Sequence, residues 1–263
     1  MCGASQFAQS RANMLRSLMS ALGNHVAVVT GASSGIGKAI ALGLSSQGAA
    51  LCLIGRNNAM LREVAEHIKG INRATSPVKT YQVDLKADGE IHKLQEQIEK
   101  DFGSIDVLIH SAGLFYMGKV EQASAQCFDE QYQVNVRAPY LLTQAMLPMI
   151  RSRAGQVVFI NSSVGIKAKA NVSQYAATKH ALRAVADSLR EEVNADGIRV
   201  LSIYLGRTAT PMQAAVYETE GRMYQPERLM QPEDVAAAVV NVLALPRSVE
   251  VTDFHVRPMH KSD

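Results

Sequence analysis

Short apolar segments alternate with longer amphipathic segments along almost the whole chain of 263 residues. The short segments are nearly continuous apolar runs, which is typical of parallel strands covered on both faces. The predicted strands cover 25–30, 50–55, 78–83, 105–110, 156–161, 198–204 and 249–256. The predicted helices cover 35–47, 58–70, 88–102, 128–152, 174–195 and 233–244. This alternation predicts an α/β fold with a doubly wound parallel sheet of about seven strands and helices on both faces.

The domain organisation is simple, because no linker rich in Pro, Gly or Ser divides the chain. We interpret 25–263 as a single domain and 1–24 as an N-terminal extension. The extension contains Arg11 and Arg16 but no acidic residue, so an organellar transit peptide is the alternative to a cytoplasmic protein. One long irregular stretch, 205–232, is predicted to be a substrate lid.

Composition narrows the class of ligand. Apolar residues make up 47% of the chain and charged residues 19%, enough for a full core. A net charge of +3 is too small to argue for nucleic acid and suits an anionic small molecule instead. No apolar run approaches the roughly 20 residues of a membrane span. The cysteines and histidines form no cluster with metal-ligand spacing, so we predict no metal site.

A glycine-rich turn follows the first predicted strand and reads Thr30-Gly31-Ala32-Ser33-Ser34-Gly35-Ile36-Gly37. Glycine allows a tight turn and a close approach of the backbone to a pyrophosphate, and the following helix offers free amides and a favourable dipole. Because the turn lies between a strand and a helix, it predicts a dinucleotide site.

The end of the second predicted strand indicates which dinucleotide binds. An acid at this point selects NAD, whereas an arginine accommodates the 2′-phosphate of NADP. Here Gly55-Arg56-Asn57 stands at the strand end, and no acid follows before Glu63. NADP(H) is therefore preferred and NAD(H) is the alternative.

Tyr175 and Lys179 are four residues apart on a predicted helix, so they share one face. A neighbouring cation is expected to lower the pKa of a phenol and make it an acid/base at neutral pH. Ser162 lies thirteen residues before Tyr175 and offers a hydroxyl to a reacting oxygen.

From about residue 24 onwards the chain resembles the short-chain dehydrogenase/reductase family, which has a Rossmann-like fold. The glycine turn matches the family pattern Thr-Gly-x-x-x-Gly-x-Gly. The catalytic set that the resemblance implies is Asn135, Ser162, Tyr175 and Lys179. Lys179 would also hold the nicotinamide ribose, and the family often forms a homodimer or homotetramer.

The resemblance also implies cofactor contacts outside the glycine turn. The predicted cofactor-binding residues are Gly31, Ser33, Ser34, Gly35, Ile36, Gly37, Arg56, Asn57, Asp84, Leu85, Ala112, Gly113, Tyr175, Lys179, Gly206, Thr208 and Thr210. Two residues depart from the family pattern: Ser111 replaces an asparagine that stabilises the sheet, and Leu205 replaces a proline before Gly206. We expect the second change to leave that turn less rigid.

Substrate identity is only loosely specified. The predicted pocket is mostly apolar and consists of Phe115, Val164, Ile166, Met212 and Tyr217. We predict a reductase that converts a ketone or aldehyde with apolar bulk to an alcohol, or catalyses the reverse reaction. An NAD-dependent alcohol dehydrogenase and a non-catalytic NADPH-binding regulator are the alternatives.

Overall fold

The computed structural model describes residues 22–71 and 76–259, so the predicted extension lies outside the described residues up to residue 21. The strands are β1 Val26–Thr30, β2 Ala50–Gly55, β3 Val78–Gln82, β4 Val107–His110, β5 Gln156–Ser162, β6 Arg199–Leu205 and β7 Asp253–Val256. They form one sheet in the order β3-β2-β1-β4-β5-β6-β7, with every pair parallel. The predicted doubly wound sheet in a single domain is confirmed.

Helices cover both faces of this sheet. The α-helices are α1 Gly35–Ser46, α2 Asn58–Ile71, α3 Asp88–Phe102, α4 Ala125–Tyr132, α5 Ala138–Arg151, α6 Ser173–Val193, α7 Pro211–Thr219 and α8 Pro232–Leu243. One core layer joins α1, α2 and α8 to the sheet, and the other joins α3, α5 and α6. Successive residues of β1, Val28 and Val29, point into opposite layers, as a strand with two buried faces requires.

Two predicted elements differ in the structure. The helix predicted over 128–152 is interrupted between α4 and α5 by a π-helical turn, Gln133–Arg137. The stretch 205–232 is not irregular throughout, because it contains α7. The Thr210 hydroxyl accepts a 3.1 Å hydrogen bond from the amide of Gln213 and so caps this helix.

The last strand is shorter than predicted and begins at Asp253. The carboxylate of Glu250 accepts a 3.0 Å hydrogen bond from the backbone amide of Val200. A side chain therefore takes the place of a ladder partner, and pairing with β6 starts only at Ser202 and Asp253.

The carboxyl ends of β1 and β4 meet at the centre of the sheet, where the strand order reverses direction. The Thr30 hydroxyl accepts hydrogen bonds from the amides of Ser111 (3.0 Å) and Ala112 (3.1 Å) and donates one to the carbonyl of Ile109 (3.3 Å). One threonine thus joins the two strand ends, without a contribution from the Ser111 side chain. In open α/β sheets ligands bind at such a reversal.

Within residues 22–71 and 76–259 no helix has the length and apolar character to cross a bilayer. In the same ranges no group of three or more His, Cys, Asp or Glu residues is arranged to hold a metal ion.

Candidate active site

A cleft of about 850 Å³ opens at the carboxyl edge of the sheet. It extends from the glycine turn after β1, past the ends of β4 and β5, to α6 and the segment that contains α7. The predicted cofactor and catalytic residues that line it are Gly31, Ser33, Ser34, Gly35, Ile36, Gly37, Arg56, Asp84, Leu85, Ala112, Gly113, Ser162, Tyr175, Lys179, Gly206, Thr208 and Thr210. Segments far apart in sequence therefore contribute to one site.

The glycine turn has the geometry of a phosphate cradle. A Cβ atom added to Gly37 would lie 2.4 Å from the carbonyl oxygen of Gly31, closer than real atoms approach. Gly35 has a φ of +52°, and a Cβ there would lie 3.2 Å from a methyl carbon of Thr210. The backbone itself, without side chains, thus forms this wall of the cleft.

The amino end of α1 faces the same cleft. Among the described residues no side chain caps this helix, and its first turn carries no acid. Its free amides and helix dipole therefore favour an anion. Together with the glycine cradle, this arrangement fits the pyrophosphate of a dinucleotide.

Arg56 lies at the end of β2, is exposed and lines the cleft. Asn57, predicted to bind the cofactor, does not line it. Its side-chain oxygen instead accepts a 3.1 Å hydrogen bond from the amide of Met60, which caps the start of α2. Asn57 is therefore positioned as a helix cap because Asx side chains at this position satisfy free amides.

Ser162 and Tyr175 meet where β5 faces α6. Ser162 ends β5, and its hydroxyl accepts a 3.4 Å hydrogen bond from the amide of Val164. Burial raises the pKa of Tyr175 to about 12, and a hydrogen bond with Ser162 opposes this rise. Phe115 packs edge-on against the Tyr175 ring at 4.8 Å between centroids.

Lys179 lies one helical turn beyond Tyr175, with its ammonium 5.6 Å from the centre of the phenol ring. The ammonium donates a 2.9 Å hydrogen bond to the carbonyl oxygen of Ile160. Burial lowers the pKa of Lys179 to about 8.

These pKa shifts overturn one prediction. The sequence pattern predicts a lowered phenol pKa, whereas the structure raises the pKa of Tyr175 to about 12. Burial disfavours the charged form of both groups, and for Tyr175 it outweighs the hydrogen bond with Ser162, which lowers the phenol pKa. The phenol is consequently protonated at neutral pH.

Asn135 lies in the π-helical turn and is buried beneath the cleft rather than lining it. Its carboxamide donates to and accepts from the backbone of Leu114, at 2.8 Å each. It also donates a 3.1 Å hydrogen bond to the hydroxyl of Thr178, which in turn donates to the carbonyl of Tyr175 at 2.8 Å. Asn135 thus links the loop after β4 to the turn of α6 that carries the tyrosine.

Thr178 and Asn161 also contact the candidate catalytic residues, and neither was among the predicted site residues. Asn161 precedes Ser162, and its carboxamide contacts the backbones of Ser162 and Lys179. Its signal in the sequence is a polar residue near the end of an otherwise apolar strand. The signal of Thr178 is a fully buried hydroxyl residue beside Lys179, which only the packing reveals.

The substrate end of the cleft is partly as predicted. Phe115, Val164 and Met212 line it, whereas Ile166 and Tyr217 do not. The Tyr217 side chain is 4% exposed. Ile166 is more than one-third exposed, outside the cleft.

Two guanidinium groups approach the ring of Tyr217, Arg207 at 4.8 Å and Arg222 at 5.1 Å from its centroid. Arg207 also forms a two-pronged ion pair with Glu220, at 2.7 and 2.9 Å. These contacts explain why Tyr217 packs inside the segment after β6 and does not face the cleft.

The turn after β6 is held although Leu205 stands in place of proline. The amide of Gly206 donates a 2.8 Å hydrogen bond to the carbonyl of Val256. An isolated parallel bridge between Thr208 and Met230 follows. In it the amide of Ala209 donates to the carbonyl of Met230 at 2.8 Å, and the amide of Met230 donates to the carbonyl of Arg207 at 3.3 Å. Both ends of the segment that contains α7 are thereby tied together.

The family model for short chain dehydrogenases matches residues 25–221. An uncharacterized oxidoreductase of Staphylococcus epidermidis is 34% identical over 235 residues, which cover 89% of this chain and 97% of that protein.

Solved structures show the same similarity. An alcohol dehydrogenase from Thermococcus sibiricus, complexed with 5-hydroxy-NADP, is 28% identical with a TM-score of 0.82, covering 91% of this chain and 98% of that one. A short chain dehydrogenase from Escherichia coli, complexed with NADPH, is 32% identical with a TM-score of 0.82, covering 90% and 98%.

The fold and the family match define an α/β oxidoreductase with a Rossmann-like sheet. The chain belongs to the short-chain dehydrogenase family, whose enzymes act on CH–OH donors with NAD(P) as acceptor.

Proposed function

We propose that this protein is an NADP(H)-dependent reductase of ketones or aldehydes, with Tyr175 as the proton donor. The observation that carries the proposal is the meeting of Ser162, Tyr175 and Lys179 with the glycine turn in a single cleft. This arrangement supports binding of a cofactor at the glycine turn and of a substrate beside Ser162 and Tyr175 in the same cleft.

The preference for NADP(H) rests on Arg56. Its exposed guanidinium lies at the edge of the cleft, at the end of the second strand, where a 2′-phosphate is recognised in this fold. A guanidinium binds phosphate oxygens through paired, charge-assisted hydrogen bonds. The NADP and NADPH complexes of the similar structures point in the same direction.

Each of the residues beside the substrate would have a separate role in the reaction. A nicotinamide dinucleotide held by the glycine turn would supply the hydride for reduction or accept it in the reverse reaction. The Tyr175 hydroxyl donates a proton to the oxygen of the substrate carbonyl, and the Ser162 hydroxyl hydrogen-bonds the same oxygen as charge develops on it. Lys179 supplies a positive charge beside the phenol.

The raised pKa of Tyr175 is compatible with a role as proton donor. A phenol with a pKa of about 12 carries its proton at neutral pH, as a proton donor must. The reverse oxidation would need the phenolate, so we expect it to become faster as the pH is raised.

The substrate is proposed to carry apolar bulk next to its carbonyl group. Phe115, Val164 and Met212 form an apolar surface around Tyr175. Arg207 is already paired with Glu220, so it is less suited to receive an anionic group.

A homodimer or homotetramer and a cytoplasmic location remain predictions. Phe128 and Tyr132 on α4 and Tyr140 on α5 are exposed aromatic residues, which supports self-association. Sedimentation of the purified protein tests the oligomeric state.

The proposal is tested by following NADPH consumption with a panel of ketones, aldehydes and acyl thioesters. We expect turnover with apolar ketones or aldehydes. Tight NADPH binding without turnover across the whole panel would instead support a non-catalytic regulator, and faster turnover with NADH would support the NAD-dependent alternative.

A further inference from the structure

Asn161 is a buried polar residue at the end of β5, with 3% of its surface exposed. Its carboxamide nitrogen donates a 3.1 Å hydrogen bond to the backbone carbonyl of Lys179 on α6. Its carboxamide oxygen accepts a 2.8 Å hydrogen bond from the backbone amide of Ser162. One side chain therefore contacts the backbones of two residues of the candidate catalytic set.

A second hydrogen bond also joins β5 and α6, but here the donor is on α6 and the acceptor is on β5. The ammonium of Lys179 donates to the backbone carbonyl of Ile160 at 2.9 Å. Asn161 thus holds the backbone of Lys179, while Lys179 holds the backbone next to Asn161. Two such bonds at adjacent positions restrict both the separation and the rotation of α6 relative to β5. Tyr175 lies one turn earlier on the same face of α6, so its distance from Ser162 is restricted as well.

Gly165 leaves the carboxamide of Asn161 little freedom. A Cβ atom added to Gly165 would lie 2.6 Å from the side-chain oxygen of Asn161 and 3.0 Å from the carbonyl oxygen of Lys179. The backbone of the turn after Ser162 therefore packs directly on the bond between Asn161 and Lys179. The three-residue turn Ser163–Gly165 begins at the Ser162 hydroxyl, so its position also depends on this packing.

We propose that Asn161 is a positioning residue of the active site, which holds the Ser162 hydroxyl and the Tyr175–Lys179 face of α6 at their working separation. Its importance for turnover rests on the proposed function, whereas its effect on the surroundings of Tyr175 does not. A displacement of about 1 Å in such a site can lower a rate by about 10²-fold.

The test compares Asn161→Ala with Gln156→Ala. Gln156 is a matched control because it is buried at the other end of β5 and its side-chain nitrogen donates a 3.1 Å hydrogen bond to the carbonyl of Leu243. Both substitutions remove a buried carboxamide from one strand, so we expect both to lower the melting temperature. Only Asn161→Ala should lower kcat at saturating NADPH, by about 10²-fold.

A second readout does not depend on turnover. The ultraviolet absorbance of tyrosinate is followed as the pH is raised, and the Tyr175→Phe variant identifies the contribution of Tyr175. In Asn161→Ala we expect water to reach the phenol, so its ionisation should move from about 12 toward the ordinary value of 10.0. Gln156→Ala should leave it unchanged.

The proposal is overturned if Asn161→Ala matches Gln156→Ala in kcat and also keeps the wild-type titration of Tyr175. If the alanine variant does not fold, Asn161→Ser replaces it, since a serine hydroxyl can still accept from Ser162 but is too short to reach Lys179. A wild-type rate in Tyr175→Phe would contradict the proposed reaction. The titration would still test the effect of Asn161 on the surroundings of Tyr175.

Discussion

The ammonium of Lys179 donates a 2.9 Å hydrogen bond to the carbonyl oxygen of Ile160, the residue two before Ser162 at the end of β5. The cation is thus held against the sheet, and it lies 5.6 Å from the centre of the Tyr175 ring. Both side chains are buried together, and burial destabilises the charged form of each. Burial therefore moves the two pKa values apart: that of Lys179 falls from 10.5 to about 8, and that of Tyr175 rises from 10.0 to about 12.

The first prediction concerns stability and pH. Because the pKa of Lys179 in the folded chain is about 8 and its ordinary value is 10.5, the unfolded chain binds more protons between these values. The free energy of unfolding should therefore rise with pH through this window, by about 3 kcal/mol for this group. The uncharged variant Lys179→Met should lack the rise.

Urea unfolding of both proteins at pH values from below 8 up to 10 measures this difference. Tyr175 acts with the opposite sign, because its raised pKa removes stability only above its ordinary value of 10.0. Parallel profiles for the wild type and Lys179→Met below pH 10 would show that the buried lysine is not the titrating group.

The second prediction concerns the phosphate cradle. Gly37→Ala places a methyl group 2.4 Å from the carbonyl oxygen of Gly31, so the turn must shift. We expect NADPH binding, measured by fluorescence titration, to be lost. Gly89→Ala is the control: Gly89 lies in the first turn of α3 with nothing within 4 Å of an added Cβ. It should bind NADPH as the wild type does, and retained binding by Gly37→Ala would refute the cradle.

The third prediction concerns the choice of cofactor. Arg56→Ala removes the guanidinium from the end of β2, and we expect kcat/KM with NADPH to fall by about 10–100-fold, the value of about one charged hydrogen bond. The value with NADH should change little, since NADH has no 2′-phosphate. Arg62→Ala, in an exposed residue of the neighbouring α2, controls for net charge. Equal losses with both cofactors would argue against 2′-phosphate recognition by Arg56.

Much of the fold could be predicted because it depends on local patterns. The runs that became β1, β2 and β5 are apolar on both faces, which in one α/β chain is explained only by a parallel sheet between two helical layers. The π-helical turn at Asn135 could not be predicted, since the flanking residues have ordinary helical character. Asn135 within this turn makes its side-chain contacts with Leu114 and Thr178, which are distant in sequence.

The site was predictable where residue type and spacing determine the chemistry, as at Gly37, Ser162 and Tyr175. The site was not predictable where the burial of a side chain determines its pKa or its orientation. The pKa of Tyr175 depends on how deeply α6 packs onto β5, and Tyr217 is enclosed by guanidinium groups whose approach only the folded chain reveals. Asn161 makes both of its side-chain contacts with backbone atoms, which no residue pattern records.

The most direct test of the account is the rate of carbonyl reduction by Tyr175→Phe, with Tyr140→Phe as the control for an exposed tyrosine outside the cleft. The substitution removes only the hydroxyl, so NADPH should still bind. We expect kcat to fall by about 10²–10⁴-fold, the contribution of a general acid, while Tyr140→Phe keeps the wild-type rate. Substantial NADPH-dependent reduction by Tyr175→Phe would contradict the role of Tyr175 as proton donor.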